Sequence, residues 1–242
     1  KAKLDPTIIN GGVINSLGNS AKLGKSDWSI LESDESDGSF VKVPSTYAVV
    51  TNIDREHMDY YKSLDDLKRH FIKFMLKVPS FGKTFVCIDD KNTRDICKIS
   101  KIKNIITYGL DKNSNFRIKN VLFQKNKSYF DVEMNLPNKK KFVFKKLEIP
   151  LIGSHNIKNA TAAIAVSYFI GISPNILRDS LKSFKGVERR FNKVFSFKGA
   201  DIYDDYAHHP TEIKEVINGV KNGFKEKKII CIFQPHRVSR LN

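Results

Sequence analysis

Apolar and polar positions follow two different spacings over about the first ninety residues of the chain. Three short runs rich in β-branched and aromatic residues have the composition of strands buried on both faces: DWSILES from Asp27, YAVVTNI from Tyr47 and TFVCID from Thr84. Between the second and third runs, residues 63–78 carry apolar side chains at helical spacing. Strands that alternate with a helix predict a parallel sheet flanked by helices.

The pattern changes in the middle of the chain. Residues 105–149 form consecutive strand-like runs separated by polar turns, which predicts a small antiparallel appendage. Helices should follow over residues 155–170 and 173–184, the second with Ser173 as its N-cap and Pro174 as its first residue.

A new β-α-β pattern begins after Arg189 and Arg190, with two strands, a helix over residues 210–224 and the strand-like run KKIICIF. We therefore predict two domains, residues 1–189 and 190–242. The predicted fold class is α/β, with a mostly parallel sheet flanked by helices, a small antiparallel appendage, and the start of a second α/β domain.

The charge of the chain raises the question of a polyanionic partner. There are 42 Lys and Arg against 26 Asp and Glu, giving a formal net charge of +16. The excess is concentrated in residues 91–146, with 15 basic and 4 acidic residues, whereas residues 27–59 have 2 basic and 8 acidic residues. The basic excess thus lies away from the acidic region, and we expect no nucleic-acid partner.

The ends and the hydropathy of the chain lead to two further expectations. No apolar run approaches the roughly 20 residues of a membrane helix, and no signal segment opens the chain, so we expect a cytoplasmic protein without a membrane partner. The first residue is Lys1 and the last is Asn242, and both ends have the character of cuts in a longer protein.

Carboxylates follow two of the predicted strands. The run ESDESD begins at Glu32, and the next strand ends in a segment containing Asp54, Glu56, His57 and Asp59. Because ligands bind beyond the carboxyl ends of strands in open parallel sheets, these groups predict a magnesium or manganese site. The alternative is a set of solvated loop carboxylates.

One further candidate site opens a predicted helix of the first domain, and another lies at the predicted domain boundary. His155, Asn156 and Asn159 open a helix, where side-chain amides can bond a planar heterocycle such as adenine or simply cap the helix. Arg190 stands with Arg189 at the predicted joint, where a guanidinium can reach a phosphate or remain exposed.

The second predicted domain contains two more clusters. DDYAHHP, which includes Asp205 and His208, joins a strand to a helix, and we favour a functional role over packing for it. Arg237 and Arg240 follow the last strand-like run and suit a carboxylate or phosphate, or form an exposed basic turn.

Taken in order, the motifs DESDGSF, TNID-x-EH-x-D, HN-x-x-N, RRF, DDYAHHP and QPHR-x-x-R resemble the Mur ligases of bacterial cell-wall synthesis. The resemblance runs from Asp5 to Arg240 and is strongest to the members that join L-alanine to UDP-N-acetylmuramate. It implies a central ATP-binding domain followed by the start of a Rossmann-like C-terminal domain.

The resemblance also implies the chemistry. A carboxylate of UDP-N-acetylmuramate attacks the γ-phosphate of ATP, and the amine of L-alanine displaces phosphate from the acyl phosphate, with Mg²⁺ or Mn²⁺ as the metal. The roles implied are magnesium ligands (Glu32, His57), adenine contacts (His155, Asn156, Asn159), a ribose partner (Asp205), an ATP-phosphate contact (Arg190), and contacts to the muramoyl carboxylate and amino acid (His208, Arg237, Arg240). The groups expected to act in catalysis are Glu32, His57, Arg190 and His208.

The same resemblance implies parts that these residues do not contain. Members of the family have an N-terminal UDP-binding domain and a phosphate loop before the region matched here. We therefore expect the 242-residue chain by itself not to turn over ATP. Two alternatives stay open: another Mur-type ligase, such as the one that recycles murein tripeptide, and a basic nucleic-acid-binding module with a metal site.

Overall fold

The computed structural model describes residues 1–99, 102–124 and 126–234. Its strands are β1 (Thr7–Ile14), β2 (Asn19–Lys22), β3 (Ser29–Leu31), β4 (Tyr47–Val50), β5 (Lys83–Cys87), β6 (Ile105–Gly109), β7 (Phe116–Gln124), β8 (Lys127–Met134), β9 (Phe142–Ile149), β10 (Asn192–Phe197) and β11 (Ala200–Asp204). Its α-helices are α1 (Leu64–Leu76), α2 (Lys91–Ile99), α3 (Ser154–Phe169), α4 (Pro174–Lys182) and α5 (Pro210–Gly223). Within the described ranges, no helix has the length and apolar character to cross a membrane.

A six-stranded mixed sheet in the order β4-β5-β6-β7-β8-β9 is the centre of the fold. Its first four strands are parallel, and β7, β8 and β9 pair antiparallel. The α/β class with a mostly parallel part and an antiparallel part is confirmed, and the antiparallel strands continue the edge of the same sheet. The run from Ile105 belongs to the parallel part because α2, which the sequence pattern did not predict, provides the crossover from β5 to β6.

Helices cover both faces of this sheet. On one face α3 contributes Ile157 and Ile164 to a core that includes Phe85 and Phe116 of the strands. On the other face, α1 and α2 pack over a second core that includes Leu67 and other buried apolar side chains. The buried layers leave the carboxyl ends of the parallel strands free to carry polar loops.

The region before β4 differs from the sequence expectation. Among the described residues, β3 pairs only with β1, in a separate three-stranded sheet of order β2-β1-β3. All three residues of β3 are exposed, Ile30 to 58 %, so the prediction of a strand buried on both faces is wrong here. Trp28, just before β3, stacks on Tyr47 of β4 with ring centroids 6.0 Å apart.

We call residues 1–189 the first unit and the residues that follow the second unit. The second unit begins with the antiparallel pair β10 and β11, followed by α5. The rings of Phe191 and Tyr203 stack with centroids 4.3 Å apart, and Phe224 at the end of α5 packs within 6.2 Å of both. The predicted strand KKIICIF pairs with no other strand within the part of the chain that the structure describes. Arg237 and Arg240 lie outside the described residues.

Candidate functional site

The loop after β4 holds His57 in an unusual backbone conformation. His57 has a φ of 55°, in the left-handed region that residues with a Cβ rarely occupy. Its carbonyl oxygen accepts hydrogen bonds from the backbone N–H groups of Tyr60 and Tyr61, at 2.9 and 3.0 Å. The tight turn that follows therefore fixes the backbone from which the imidazole projects.

The same two tyrosines hold the acidic loop that follows β3. The hydroxyl of Tyr61 donates a hydrogen bond to the carbonyl oxygen of Glu35. Gly38 has a φ of 68°, and a Cβ there would lie 2.6 Å from the hydroxyl of Tyr60. The acidic loop can thus approach the tyrosines closely only with glycine at this position.

These constraints bring together a group of side chains capable of binding a metal. One ligand atom each from Glu35, Glu56 and His57 lies within 4.8 Å of the others. Nε2 of His57 is 3.9 Å from Oε1 of Glu35. Burial raises the pKa of Glu35, with smaller increases from Asp34 and Glu56, while His57 acts in the opposite direction. A cation bound here would offset that cost, and two carboxylates with one imidazole suit Mg²⁺ or Mn²⁺.

Glu32, the other predicted metal ligand, is placed differently. Oε2 of Glu32 accepts a hydrogen bond of 2.6 Å from the backbone N–H of Gly11 in β1. The structure therefore brings Glu35 and Glu56 to His57, and it places Glu32 against the neighbouring small sheet.

The loop is held from a second side by residues that the sequence interpretation overlooked. Oδ1 of Asp90 accepts hydrogen bonds from the backbone N–H of Ile53, at 3.4 Å, and from that of Thr93, at 2.8 Å. Nδ2 of Asn92 donates to the carbonyl oxygen of Ile53 at 2.7 Å. The run DDKN after the strand TFVCI was the signal, because acids and amides at a helix start favour capping.

The start of α3 contains a half-buried histidine whose Nδ1 is fully buried. Nδ1 of His155 has no hydrogen-bond partner among the described residues, and its Nε2 is 3.0 Å from Nδ2 of Asn156. Nδ2 of Asn156 also donates to the carbonyl oxygen of Ile152 at 2.7 Å, and Asn159 is exposed one turn further on. Burial lowers the pKa of His155. An unpaired buried ring nitrogen beside amide groups is suited to a heterocyclic ligand.

Asp205 lies near His155, but its carboxylate already accepts two hydrogen bonds from the backbone. Its two carboxylate oxygens accept hydrogen bonds from the backbone N–H groups of Phe191, at 2.8 Å, and Ala207, at 2.7 Å. The carboxylate thus joins Phe191, just after the predicted domain boundary, to the turn before α5. Asp205 and Arg190 both influence the pKa of His155, so the three predicted nucleotide contacts share one region.

Arg189 and Arg190, at the predicted domain boundary, pack on one aromatic ring. The guanidinium carbons of Arg189 and Arg190 lie 5.0 and 5.8 Å from the centroid of Tyr206. Arg189 is paired with Asp204 at 3.1 Å, and Arg190 lies 3.8 Å from Glu212. These contacts orient both cations toward the turn before α5.

His208 lines a surface cavity beside α5. Its Nδ1 is 2.9 Å from the carbonyl oxygen of Tyr206 and 3.8 Å from Oε2 of Glu212. The cavity has a volume of about 500 Å³ and is lined by His208, Ile213, Lys214 and Phe233 among others. The structure brings His208 and Arg190 to the same turn, each beside Glu212.

Comparison with known proteins fits these features. Residues 15–167 match the Mur ligase middle domain, which is more than half of the chain, and residues 189–240 match the Mur ligase glutamate ligase domain. The chain belongs to the Mur ligase family. The glutamate-ligase description is that of the family domain and does not by itself name an acceptor for this Mur ligase chain.

Curated relatives of this Mur ligase chain are similar along its whole length. The UDP-N-acetylmuramate–L-alanine ligase of Pelagibacter ubique (strain HTCC1062) is 63% identical over 241 residues, which is 100% of this chain and 52% of the relative. The protein of the same name from Hydrogenobaculum sp. (strain Y04AAS1) is 47% identical, over 99% of this chain and 52% of its own. The chain thus spans about half the length of the curated relatives that it matches.

Solved structures agree with the fold. The crystal structure of a UDP-N-acetylmuramate-alanine ligase from Thermotoga maritima has a TM-score of 0.79 and 28% identity, covering 97% of this chain and 52% of that one. A murein peptide ligase from Psychrobacter arcticus 273-4 has a TM-score of 0.68 at 22% identity, covering 92% of this chain and 50% of that one, and so shows the fold alone.

Proposed function

We propose that this chain is part of an ATP-dependent ligase that joins L-alanine to UDP-N-acetylmuramate. The observation that carries the proposal is the 63% identity, over all of this chain, to a protein named for that reaction. The group formed by Glu35, Glu56 and His57 supports it, because phosphoryl transfer requires a cation near the phosphates.

The proposed reaction has two steps. A carboxylate oxygen of UDP-N-acetylmuramate attacks the γ-phosphorus of ATP, releasing ADP and forming an acyl phosphate. The amine of L-alanine then attacks the acyl carbon, phosphate leaves, and the amine loses a proton as the amide forms. Negative charge accumulates between two anions in the first step, so fixed cations are needed beside the reacting phosphate.

For the metal we propose His57 as the common ligand, with Glu35 and Glu56 as the carboxylates that the structure places beside it. A bound Mg²⁺ or Mn²⁺ would supply neutralisation of the phosphate charge. Glu32, the ligand implied by the family resemblance, is proposed as the competing assignment, and its hydrogen bond to Gly11 would have to break before it could join His57.

For the nucleotide we propose the region between α3 and the second unit. The buried, unpaired Nδ1 of His155 and the amides of Asn156 and Asn159 are proposed to bind adenine. Arg190 is proposed to reach the phosphates. The ribose role of Asp205 requires that its carboxylate keep bonding the backbone N–H groups of Phe191 and Ala207 while accepting a hydroxyl, which its remaining lone pairs permit.

For the acceptor side we propose His208, Arg237 and Arg240 as contacts to the muramoyl carboxylate and to L-alanine. His208 lines a surface cavity, which supports a binding role there. The division into a middle domain, residues 1–189, and the start of the C-terminal domain, residues 190–242, is part of the proposal and is supported by the two family matches. We further propose a cytoplasmic location and no nucleic-acid or membrane partner.

A chimera tests the proposal. Residues 1–242 would replace the matched half of the Pelagibacter ubique ligase, and products from ATP and UDP-N-acetylmuramate would be identified by mass spectrometry. We expect the L-alanine adduct. Formation of the adduct with L-alanyl-γ-D-glutamyl-meso-diaminopimelate instead would favour the recycling ligase, and DNA retention lost steeply with salt would favour the nucleic-acid alternative.

A further inference from the structure

One hydrogen bond joins the start of α5 to the loop that carries His57. Oγ1 of Thr211 donates to Oδ2 of Asp54 at 2.6 Å, although the two residues are 157 positions apart in the sequence. Nδ1 of His209 lies 3.7 Å from the same carboxylate oxygen. Asp54 therefore contacts the first turn of α5 directly.

On the loop side, Asp54 is part of a fixed backbone segment. Its side-chain Oδ1 accepts a hydrogen bond from the backbone N–H of Arg55 at 2.7 Å, and its carbonyl oxygen accepts one from Glu56 at 2.9 Å. The preceding residue, Ile53, is held by Asp90 and Asn92 of the α2 region. A displacement of Asp54 must therefore move the segment that leads to Glu56 and His57.

On the helix side, Thr211 is fixed by the cap of α5. The ring of His209 accepts a hydrogen bond from the backbone N–H of Thr211 at 3.3 Å, and Oε2 of Glu212 accepts from the N–H groups of His208 and His209 at 3.1 and 3.3 Å. Pro210 begins the helix. Thr211 thus connects Asp54 to a turn that also sets the position of His208.

The far end of α5 is anchored to the first unit as well. A Cβ at Gly219 would lie 3.1 Å from the Cα of Gly153, and one at Gly223 would lie 3.2 Å from the side chain of Ile152. The helix therefore contacts the first unit near both ends. Among the described residues, the contact at its start is the one that reaches the loop of His57.

We propose that Asp54 and Thr211 form a positioning pair that holds the second unit, and His208 with it, in register with the metal-binding loop. The contact itself is independent of the reaction, whereas its role in positioning rests on the proposed ligase function. Neither residue needs to touch substrate for this role.

Amide hydrogen exchange of the 242-residue chain tests the contact. Thr211→Val removes the hydroxyl at nearly constant shape, and we expect exchange at Arg55 and Glu56 to accelerate at least about threefold, together with that of the first turn of α5. Thr211→Ser, which keeps the hydroxyl, should restore both rates. Thr46→Val, an exposed site at the other end of β4, is the matched control. Acceleration confined to α5, or equal to that of the control, would overturn the coupling.

A second series separates the contact from its role. In an Asp54→Ala background, Thr211→Val should produce no further acceleration, because the shared bond is already absent. In the ligase chimera, Thr211→Val should lower kcat at least about threefold with the KM for ATP within twofold, and Thr211→Ser should restore kcat. An unchanged kcat despite coupled exchange would overturn the positioning role. An inactive parent chimera would count against the proposed function and would leave the exchange result standing.

Discussion

Nε2 of His57 lies 3.9 Å from Oε1 of Glu35, although the two residues follow strands that belong to different sheets. β3, before Glu35, pairs in the small sheet, and β4, before His57, is the edge of the large one. The hydroxyl of Tyr61 connects the two loops through the backbone of Glu35. The tyrosine turn, and not strand pairing, therefore creates the candidate metal site.

The first prediction concerns Mn²⁺ binding to the 242-residue chain. Glu35→Gln and His57→Ala should each weaken the affinity at least about tenfold, because each removes a ligand. Titration followed by electron paramagnetic resonance measures the free ion. Asp65→Asn, an exposed carboxylate in the first turn of α1, is the control and should change little.

The same titration compares the two ligand assignments. Glu32→Gln should have a smaller effect than Glu35→Gln, since Glu32 bonds Gly11 in this structure. Loss of binding in Glu32→Gln with normal affinity in Glu35→Gln would contradict our assignment and favour the ligand implied by the resemblance.

The second prediction concerns the pH dependence of stability. Burial lowers the pKa of His155 below its ordinary value of 6.5, against the opposing influence of Glu215 and Asp205, while Lys158 and Arg190 lower it further. A depressed pKa stabilises the fold above pH 6.5, and that contribution is lost as the pH falls through the folded-state pKa. Urea unfolding between about pH 7.5 and 5 should therefore show a shallower fall for His155→Gln than for the unchanged chain. Parallel curves would show that His155 contributes nothing to this dependence.

The third prediction separates two roles of Asp205. Asp205→Asn leaves one oxygen acceptor for two backbone N–H groups, so the free energy of unfolding should fall by about 1–3 kcal/mol without any nucleotide. Asp204→Asn, which removes an exposed pair with Arg189, should cost at most about 1 kcal/mol. Urea denaturation checks both variants. Equal stability of Asp205→Asn and the unchanged chain would refute the structural role.

The fourth prediction tests the packing of α5 against the first unit. At Gly219 a Cβ would meet backbone atoms of Gly153 at 3.1 and 3.4 Å, so Gly219→Val should destabilise the chain by roughly 1–3 kcal/mol. Asn218→Val places the same side chain on an exposed position of the same helix and should have a much smaller effect. If the two variants unfolded at the same urea concentration, the close approach of α5 would be wrong.

The sequence predicted the elements with strong periodicity and missed those without it. The cap at Ser63, where the side chain accepts from the N–H of Asp66, and the apolar positions of α1 indicate that helix clearly. The nine residues of α2 are mostly charged or polar, and only Thr93 and Ile96 among them are buried. Two buried positions are too few to predict a helix from the apolar pattern. Missing α2 led to the assignment of β6 to the antiparallel strands.

The candidate site also contains residues that the sequence indicates and contacts that it does not. His57 could be proposed from the sequence because an imidazole among carboxylates follows a strand. Glu35 could not be distinguished from Glu32, since both lie in one acidic run and the choice depends on Tyr61, 26 positions from Glu35. The bond between Thr211 and Asp54 also depends on a tertiary approach of α5 that no local pattern contains.

The most direct test of the central claim is phosphate release by the chimera that carries residues 1–242 within the Pelagibacter ubique ligase. We predict release that requires ATP, UDP-N-acetylmuramate and L-alanine together, and a loss of at least about a hundredfold in His57→Ala. A folded chimera that releases no phosphate while the parent ligase is active in the same assay would contradict the claim, and so would full activity in His57→Ala.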